Sequence, residues 1–514
     1  MNAIMTSKEM KDIEGYAIDT LGIPSLVLME RAALCVTKHI KERATKKDKI
    51  CILCGKGNNG ADGVAIARNL LEDNYKVSLV VLGITKDNYL EKNCSKEMIH
   101  QLNILNRMGV LWQPQIPEDD FDIFVDAIFG IGLTREITDE QILLAMDTIN
   151  SSNAYIYSVD IPSGIHTDTG KIMQNAVKAN ETITFAYKKV GHLLYPGKKY
   201  AGKVICENIG IPDVCLKENP MEHFSYQVDD GATLLYREPD SHKGTFGKVV
   251  VIAGNEEISG ACVLCAGSVL LSGAGMVKVL SSDKTLEVIR NVLPEAMVQP
   301  LDKKDTMEKN IQSALDWADF VVIGSGIGTG EDAYLKMKYV LQNFPKEKRL
   351  VIDADGINLV SKYDQLRELT HGVNNLVYTP HMAELSRLLG VNVEILQSNL
   401  DEIMKPICKD NSAIYVCKDS VTRVYQKNQK IFLNEYGNSG MATAGSGDVL
   451  AGIVAAMLSK KGMGMYEGTI LGVHLHSLAG DFAAKKNGYH SLLASDIGES
   501  LQEVLKTMEE SLDV

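Results

Sequence analysis

The sequence contains no uninterrupted apolar run of about 18 residues, which excludes a hydrophobic helix of ordinary membrane-spanning length. Residues 1–11 lack the basic stretch and apolar core of a secretory leader, so a cytoplasmic protein with no membrane partner is expected. Positive charge is in deficit: 53 basic against 66 acidic side chains leave a net charge of −13. That balance argues against a nucleic-acid partner, although a local basic patch can still hold a small phosphate. The densest basic stretch, Lys38 to Lys49, reads as a solvated helix end before a strand. Zinc-type spacing is also missing. Cys51 and Cys54 lie in a strand-like segment and point to opposite faces. Cys262 and Cys265 suit one helix face, but no second Cys/His pair follows at finger spacing. All ten cysteines are therefore expected to be buried free thiols in a reducing compartment.

What is present is length and an ordinary core composition. A chain of 514 residues, 45% hydrophobic and 23% charged, calls for two or three domains. Two helix-like stretches open it, joined by Gly22-Ile23-Pro24. Strand, glycine loop and helix then alternate, with strands expected at 50–53, 77–82, 121–127 and 154–160. A polar segment around Lys217 to Pro220 reads as a linker. A second α/β pattern starts near Lys248, with strands at 276–280, 320–323, 350–352, 376–378 and 415–417. This alternation predicts two α/β domains, 1–217 and 225–514, each with a parallel sheet covered by helices. Chemistry in such sheets gathers at the carboxyl ends of the strands.

In the second half the strongest chemical signal is Gly437-Asn438-Ser439-Gly440-Met441-Ala442-Thr443-Ala444-Gly445-Ser446-Gly447-Asp448. Small residues let backbone N–H groups approach phosphate oxygens, and a following helix adds its dipole. Asp448 then stands beside a phosphoryl group, where a carboxylate takes the proton of an attacking hydroxyl. Gly326, in the glycine-rich run after the strand at 320–323, is a weak signal by itself. So is His381, since a lone histidine is more often structural. The stretch Lys418-Asp419-Ser420-Val421-Thr422 reads equally as a nucleotide contact or a surface loop.

In the first half Gly55-Lys56-Gly57-Asn58-Asn59-Gly60-Ala61-Asp62 follows the first strand. Its short polar groups suit a phosphate, a sugar hydroxyl or a cation, or simply close a tight turn. It is neither a dinucleotide fingerprint nor a Walker loop. Asp126 and Asp160 end two further strands, and Ser163 follows closely. Amide, carboxylate and hydroxyl oxygens together suit a hard cation, not zinc.

The second half, through His242-Lys243-Gly244, Ser259-Gly260-Ala261, Asp353-Ala354-Asp355, Thr379-Pro380-His381 and the loop ending at Asp448, resembles the ADP/ATP-dependent NAD(P)H-hydrate dehydratases of the ribokinase-like superfamily. The first half, including Gly22 to Glu30, resembles the NAD(P)H-hydrate epimerases, or YjeF N-terminal domains. The resemblance implies a Rossmann-like three-layer sandwich followed by a ribokinase-like α/β/α domain. It implies that Ala261, Gly326, His381 and Asp448 contact the hydrated nicotinamide, and that Lys418 to Thr422 and Asn438 to Gly447 hold ADP or ATP with Mg²⁺. For the epimerase it implies substrate contacts from Asn58, Asn59, Gly60, Ala61 and Asp62, and from Gly130, Ile131, Gly132, Leu133, Thr134, Arg135 and Glu136. Asp160 joins these as general acid/base, and K⁺ is held by Asn59, Asp126 and Ser163. The implied activity is repair of NADHX and NADPHX: the R and S hydrates are interconverted and the S form is dehydrated, in a homo-oligomer. The alternative is a ribokinase-like small-molecule kinase with a silent N-terminal binding module. Four positions depart from the family patterns. Ala61 replaces glycine, Arg31 asparagine, Asp419 glycine and Gly356 alanine.

Overall fold

Short apolar runs rich in β-branched residues, each ending at a turn, become the strands Lys49–Cys54, Lys76–Val81, Ile123–Ala127 and Tyr155–Val159. The computed structural model describes residues 1–86, 88–90, 93–302 and 304–512. Two compact units divide the chain, one of Asn2–His223 and one running from Phe224 onward.

In the first unit these four strands join Glu181–Phe185 and Lys203–Glu207 in a six-stranded parallel sheet. Lys49–Cys54 lies between Lys76–Val81 and Ile123–Ala127. Strand order therefore reverses there, opening a crevice at the carboxyl ends. Helices Ser25–Arg43 and Asn58–Glu72 pack on each other. A separate apolar cluster joins Leu53, Phe124 and Ile156 of the sheet to Met146 and Ile149 of helix Glu140–Ser151. Sequence reading had not found the strands Glu181–Phe185 and Lys203–Glu207. Glu181–Phe185 opens on a charged residue, and Lys203–Glu207 has one at each end and no fully buried position.

In the second unit a parallel sheet runs in the order Met297–Pro300, Met276–Ser281, Lys248–Ile252, Phe320–Ile323, Arg349–Ile352, Asn375–Tyr378, Ile414–Cys417. Arg423–Tyr425 and Ile431–Leu433 extend it antiparallel, so the expected wholly parallel sheet is a mixed one. These last strands have three residues each, too few to show a period. The order reverses at Lys248–Ile252, giving a second crevice. Helices Gly260–Leu271, Ser446–Ser459, Met465–Asn487 and Ala494–Glu510 form one packed group, and Lys304–Trp317, Glu331–Gln342 and Asp364–Thr370 another.

All ten cysteines are free, but not all are buried. Cys206 is exposed on the edge strand Lys203–Glu207, and Cys35 and Cys94 are half-buried. No helix of the described residues is long and apolar enough to cross a membrane.

Candidate active sites

In the first unit the chain leaves strand Lys49–Cys54, turns through Gly55-Lys56-Gly57, and enters helix Asn58–Glu72 at once. Asn58 and Asn59 are thus first-turn helical residues and not part of a tight turn. Gly60 permits this, because a Cβ there would stand 2.0 Å from the Gly55 carbonyl oxygen. Ala61 is fully buried in regular helix and is not among the positive-φ residues, so its methyl group meets no backbone conflict.

A cavity of about 860 Å³ opens over these strand ends. Of the predicted contacts, Asn58, Asn59, Asp62, Gly130, Ile131, Gly132, Leu133, Arg135, Glu136 and Asp160 line it. Gly60 and Ala61 lie buried beneath, and exposed Thr134 is not on the wall. The wall also includes Lys11, Glu14 and Lys56, which sequence reasoning missed.

Asp160 has φ +67°, a strained conformation for a side-chain-bearing residue, and such strain gathers at functional positions. Buried Lys189 donates from Nζ to Asp160 Oδ1 at 2.5 Å, to Thr184 Oγ1 at 2.7 Å and to the Phe185 carbonyl at 3.1 Å. Thr184 Oγ1 donates to the same carboxylate oxygen at 3.0 Å. His192 Nε2 donates to the Asp160 carbonyl at 2.9 Å, while its Nδ1 accepts from the Lys189 amide at 3.0 Å. Burial, aided by Lys189, pushes the His192 imidazole down to about 3, so the ring is a neutral brace. Burial first, then the Asp160 charge, pushes Glu14 up to about 7 and Asp62 well above the usual carboxylate range. Neither Lys189 nor Glu14 was legible in the sequence.

Asp126 is completely buried. Its carboxylate accepts from Ser163 N at 2.8 Å, Ser163 Oγ at 2.5 Å and Ser158 Oγ at 2.9 Å. Burial raises its pKa, and these hydrogen bonds offset the rise only in part. Among the described residues no cationic side chain is paired with it. A buried carboxylate with neutral oxygen donors around it and no protein counter-charge fits a K⁺ ion. Among the described residues no three of His, Cys, Asp and Glu form a metal-binding group.

In the second unit the small-residue loop ends at Gly445, φ +92°, which caps helix Ser446–Ser459. Its start is tied down by Asp481, which accepts from Gly437 N at 3.0 Å and from Asn438 Nδ2 at 2.9 Å. Ser439, Ala442 and Ala444 are exposed, leaving that face open to a ligand. Asp448 lies in the first helical turn. Burial, then the Asp353 charge, pushes its carboxyl up to about 6 against the pull of Ser325 and Lys418.

Lys418 Nζ donates to Asp353 Oδ1 at 3.1 Å and lies close to Gly447. Burial opposes the charge of Lys418, but Asp353, Glu384 and Asp448 outweigh it and raise its pKa. Asp353, 1% exposed, also accepts from Thr379 Oγ1 at 2.6 Å. His381 caps helix Met382–Leu389 with an exposed ring, and its strand segment bridges Lys418. Ala261 and Gly326 adjoin, since a Cβ on Gly326 would stand 3.0 Å from that of Ala261. Thus Lys418, Asp448 and Asp353 converge, with the Ala261–Gly326 pair and His381 as further parts of the sheet's carboxyl edge. Val421 is 3% exposed and faces the core, whereas Asp419 turns its carboxylate onto the Ser420 amide at 2.8 Å. Gly356 suits its place better than alanine, whose Cβ would press to 2.9 Å from Ile352 Cγ2.

Two protein-family models match the chain. The YjeF-related protein N-terminus covers residues 25–191 and the NAD(P)H-hydrate dehydratase covers 249–503. The bifunctional NAD(P)H-hydrate repair enzyme of Dictyoglomus turgidum is 34% identical, over 96% of this chain and 96% of its own. That of Thermofilum pendens is 30% identical over 98% and 96% respectively. A solved ribokinase-like superfamily protein from Enterococcus faecalis has a TM-score of 0.50 at 29% identity, covering 56% of this chain and 96% of its own. Matched over nearly its whole length, the chain belongs to the family of bifunctional NAD(P)H-hydrate repair enzymes.

Proposed function

We propose that residues 1–217 interconvert the R and S hydrates of NADH and NADPH, and that residues 225–514 dehydrate the S form at the expense of ADP or ATP. The observation that carries the dehydratase reading is Asp448, in the first turn of a helix behind a small-residue loop, with a carboxyl that titrates near pH 6. Ionised at neutral pH, it accepts the proton of the C6 hydroxyl as that oxygen attacks the terminal phosphoryl group. Loop amides and Lys418 offset the charge on the transferred group. The ring nitrogen then expels phosphate, and loss of a C5 proton restores the dihydronicotinamide. We assign the hydrated ring to Ala261, Gly326 and His381, and the nucleotide to Lys418–Thr422 and Asn438–Gly447, with buried Val421 contributing backbone only. Mg²⁺ bound with the nucleotide would offset the phosphate charge, and Asp355, close to Asp448, would offer it an oxygen donor.

In the first unit we assign the substrate to the cavity wall, general acid/base work to Asp160, and K⁺ to Asn59, Asp126 and Ser163. K⁺ would supply the positive charge that Asp126 lacks. We further propose a cytoplasmic homo-oligomer acting on NADHX and NADPHX. The relatives' shared name over both halves favours this reading over a small-molecule kinase with a silent N-terminal module.

Chemically hydrated NADH incubated with the chain and either nucleotide provides the test. Restored NADH absorbance is the expected result, and a stable phosphoester in its place would identify a kinase. Asp448→Asn is expected to lose turnover while still binding nucleotide, and near-normal turnover would remove Asp448 from its role.

A further inference from the structure

Glu14 stands on the wall of the N-terminal cavity with no part yet assigned to it. It comes from helix Ser7–Gly15, ahead of residue 25 where the family match begins. Among the described residues no hydrogen bond or ion pair reaches its carboxyl, in contrast to Asp160, which is paired with Lys189 at 2.5 Å. Glu14 also lines, with Asp62 and Asn58, a narrower adjoining cavity of about 100 Å³. The charged groups facing it are Asp160, Asp62 and Lys189, with Lys11 on its own helix and Glu97 across the narrower cavity. Lys56, Arg135 and Glu136 lie on the wider wall.

Among the carboxyls on this wall, Asp160 is paired with the buried Lys189 ammonium, whereas Glu14, on a separate element, has no cation at ion-pair distance among the described residues. Asp160 accepts from the buried Lys189 ammonium at 2.5 Å. Glu14 is partly desolvated beside acidic neighbours, which favours its protonated form up to about pH 7. Environments that push two carboxyls apart in this way divide acid and base work between them.

We propose that Glu14 is the second catalytic residue of the epimerase site, giving a proton to the departing C6 hydroxyl while Asp160 takes one from the water that enters on the opposite face. The proposal rests on the epimerase reading of the first unit. The C6–O bond breaks and the hydroxyl leaves as water with the Glu14 proton, while the N1 lone pair forms an N1–C6 double bond. A second water then bonds to C6 from the other side, its proton passes to Asp160, and the electron pair returns to nitrogen. One water leaves and one enters, and proton exchange with solvent resets the two carboxyls.

The full-length chain is fed the R hydrate, or the S hydrate as a control, with ADP or ATP, and NADH absorbance is followed across pH. The wild type should consume R with a kcat/KM that falls as pH rises through about 7. Glu14→Gln should slow R consumption by about 100-fold or more and lose the alkaline limb, leaving S consumption intact. Glu14→Asp should keep the limb and part of the rate. A Glu14→Gln chain that retains the wild-type kcat, whether or not KM rises, overturns the proposal alone. A wild type no faster than spontaneous epimerisation overturns both the proposal and the epimerase reading beneath it.

Discussion

Asp448 shows how a candidate site residue works against the stability of its own fold. Its carboxyl is raised from 3.8 to about 6, chiefly by burial, so the folded chain holds that proton more tightly than the unfolded one. For such a group the stabilising contribution is present at low pH and is lost as pH rises from about 4 to about 6. Asp448→Asn removes the buried charge. At pH 8 the variant should be more stable by on the order of 1 kcal/mol, a few degrees in thermal unfolding, with no gain at pH 4. A gain over the wild type that is no larger at pH 8 than at pH 4 would contradict this. Lys189 presents the reverse case, because it is 1% exposed and neutralises Asp160. Lys189→Met leaves a half-enclosed carboxylate without its cation, and loss of a buried partner costs about 3 kcal/mol. Chemical denaturation should register that loss in the first unit, together with a collapse of R-epimer consumption. Wild-type stability in this variant would mean that the ion pair is dispensable.

Both sites are built where a strand turns into a helix, and a single glycine decides each junction. Gly60 lets the first turn of Asn58–Glu72 fold back against the Gly55 carbonyl. Gly445 takes φ +92° at the cap of Ser446–Ser459, where a Cβ would also meet Leu264 Cδ1 at 2.4 Å. Gly60→Ala cannot be absorbed by a side-chain adjustment, since the obstacle is backbone. It should cost about 2 kcal/mol or more and abolish R-epimer consumption. Gly445→Ala should weaken nucleotide binding at least tenfold, measured by calorimetry, because strain at the cap displaces the loop amides. Unchanged affinity would show that the loop tolerates an ordinary backbone at this position. The glycines were legible as turn residues. Which of them meets backbone depended on the return path of the chain, as did the start of the helix at Asn58 and not beyond Gly60.

At the scale of the molecule, the candidate site of the first unit lies by the strand reversal at Lys49–Cys54, whereas that of the second spreads from the reversal at Lys248–Ile252 across the carboxyl edge to Lys418, after Ile414–Cys417. The proposed cation site draws on neighbouring strand ends, which deliver Asp126 and Ser163 to one buried place. Exchanging K⁺ for Li⁺ should lower R-epimer consumption and the unfolding temperature of the first unit, leaving S-epimer consumption with ADP or ATP the lesser affected. Indifference to the cation would count against the site.

Sequence alone determined what depends on neighbours along the chain. Apolar runs bounded by turns marked the central strands, the small residues from Gly437 to Gly447 marked a candidate phosphate loop, and Asp126 and Asp160 marked strand ends. Even the departure at Ala61 was visible, although its harmlessness was not, since that rests on the residue lying inside a helix. Tertiary structure decided what depends on distance across the fold. Lys189 had to reach Asp160 from beyond another strand, Asp353 had to meet Lys418, and Glu14 had to arrive from the first helix. Proton affinity was settled at the same level. A carboxyl shifts because of how much water and charge surround it, and the order of residues beside it does not contain that information.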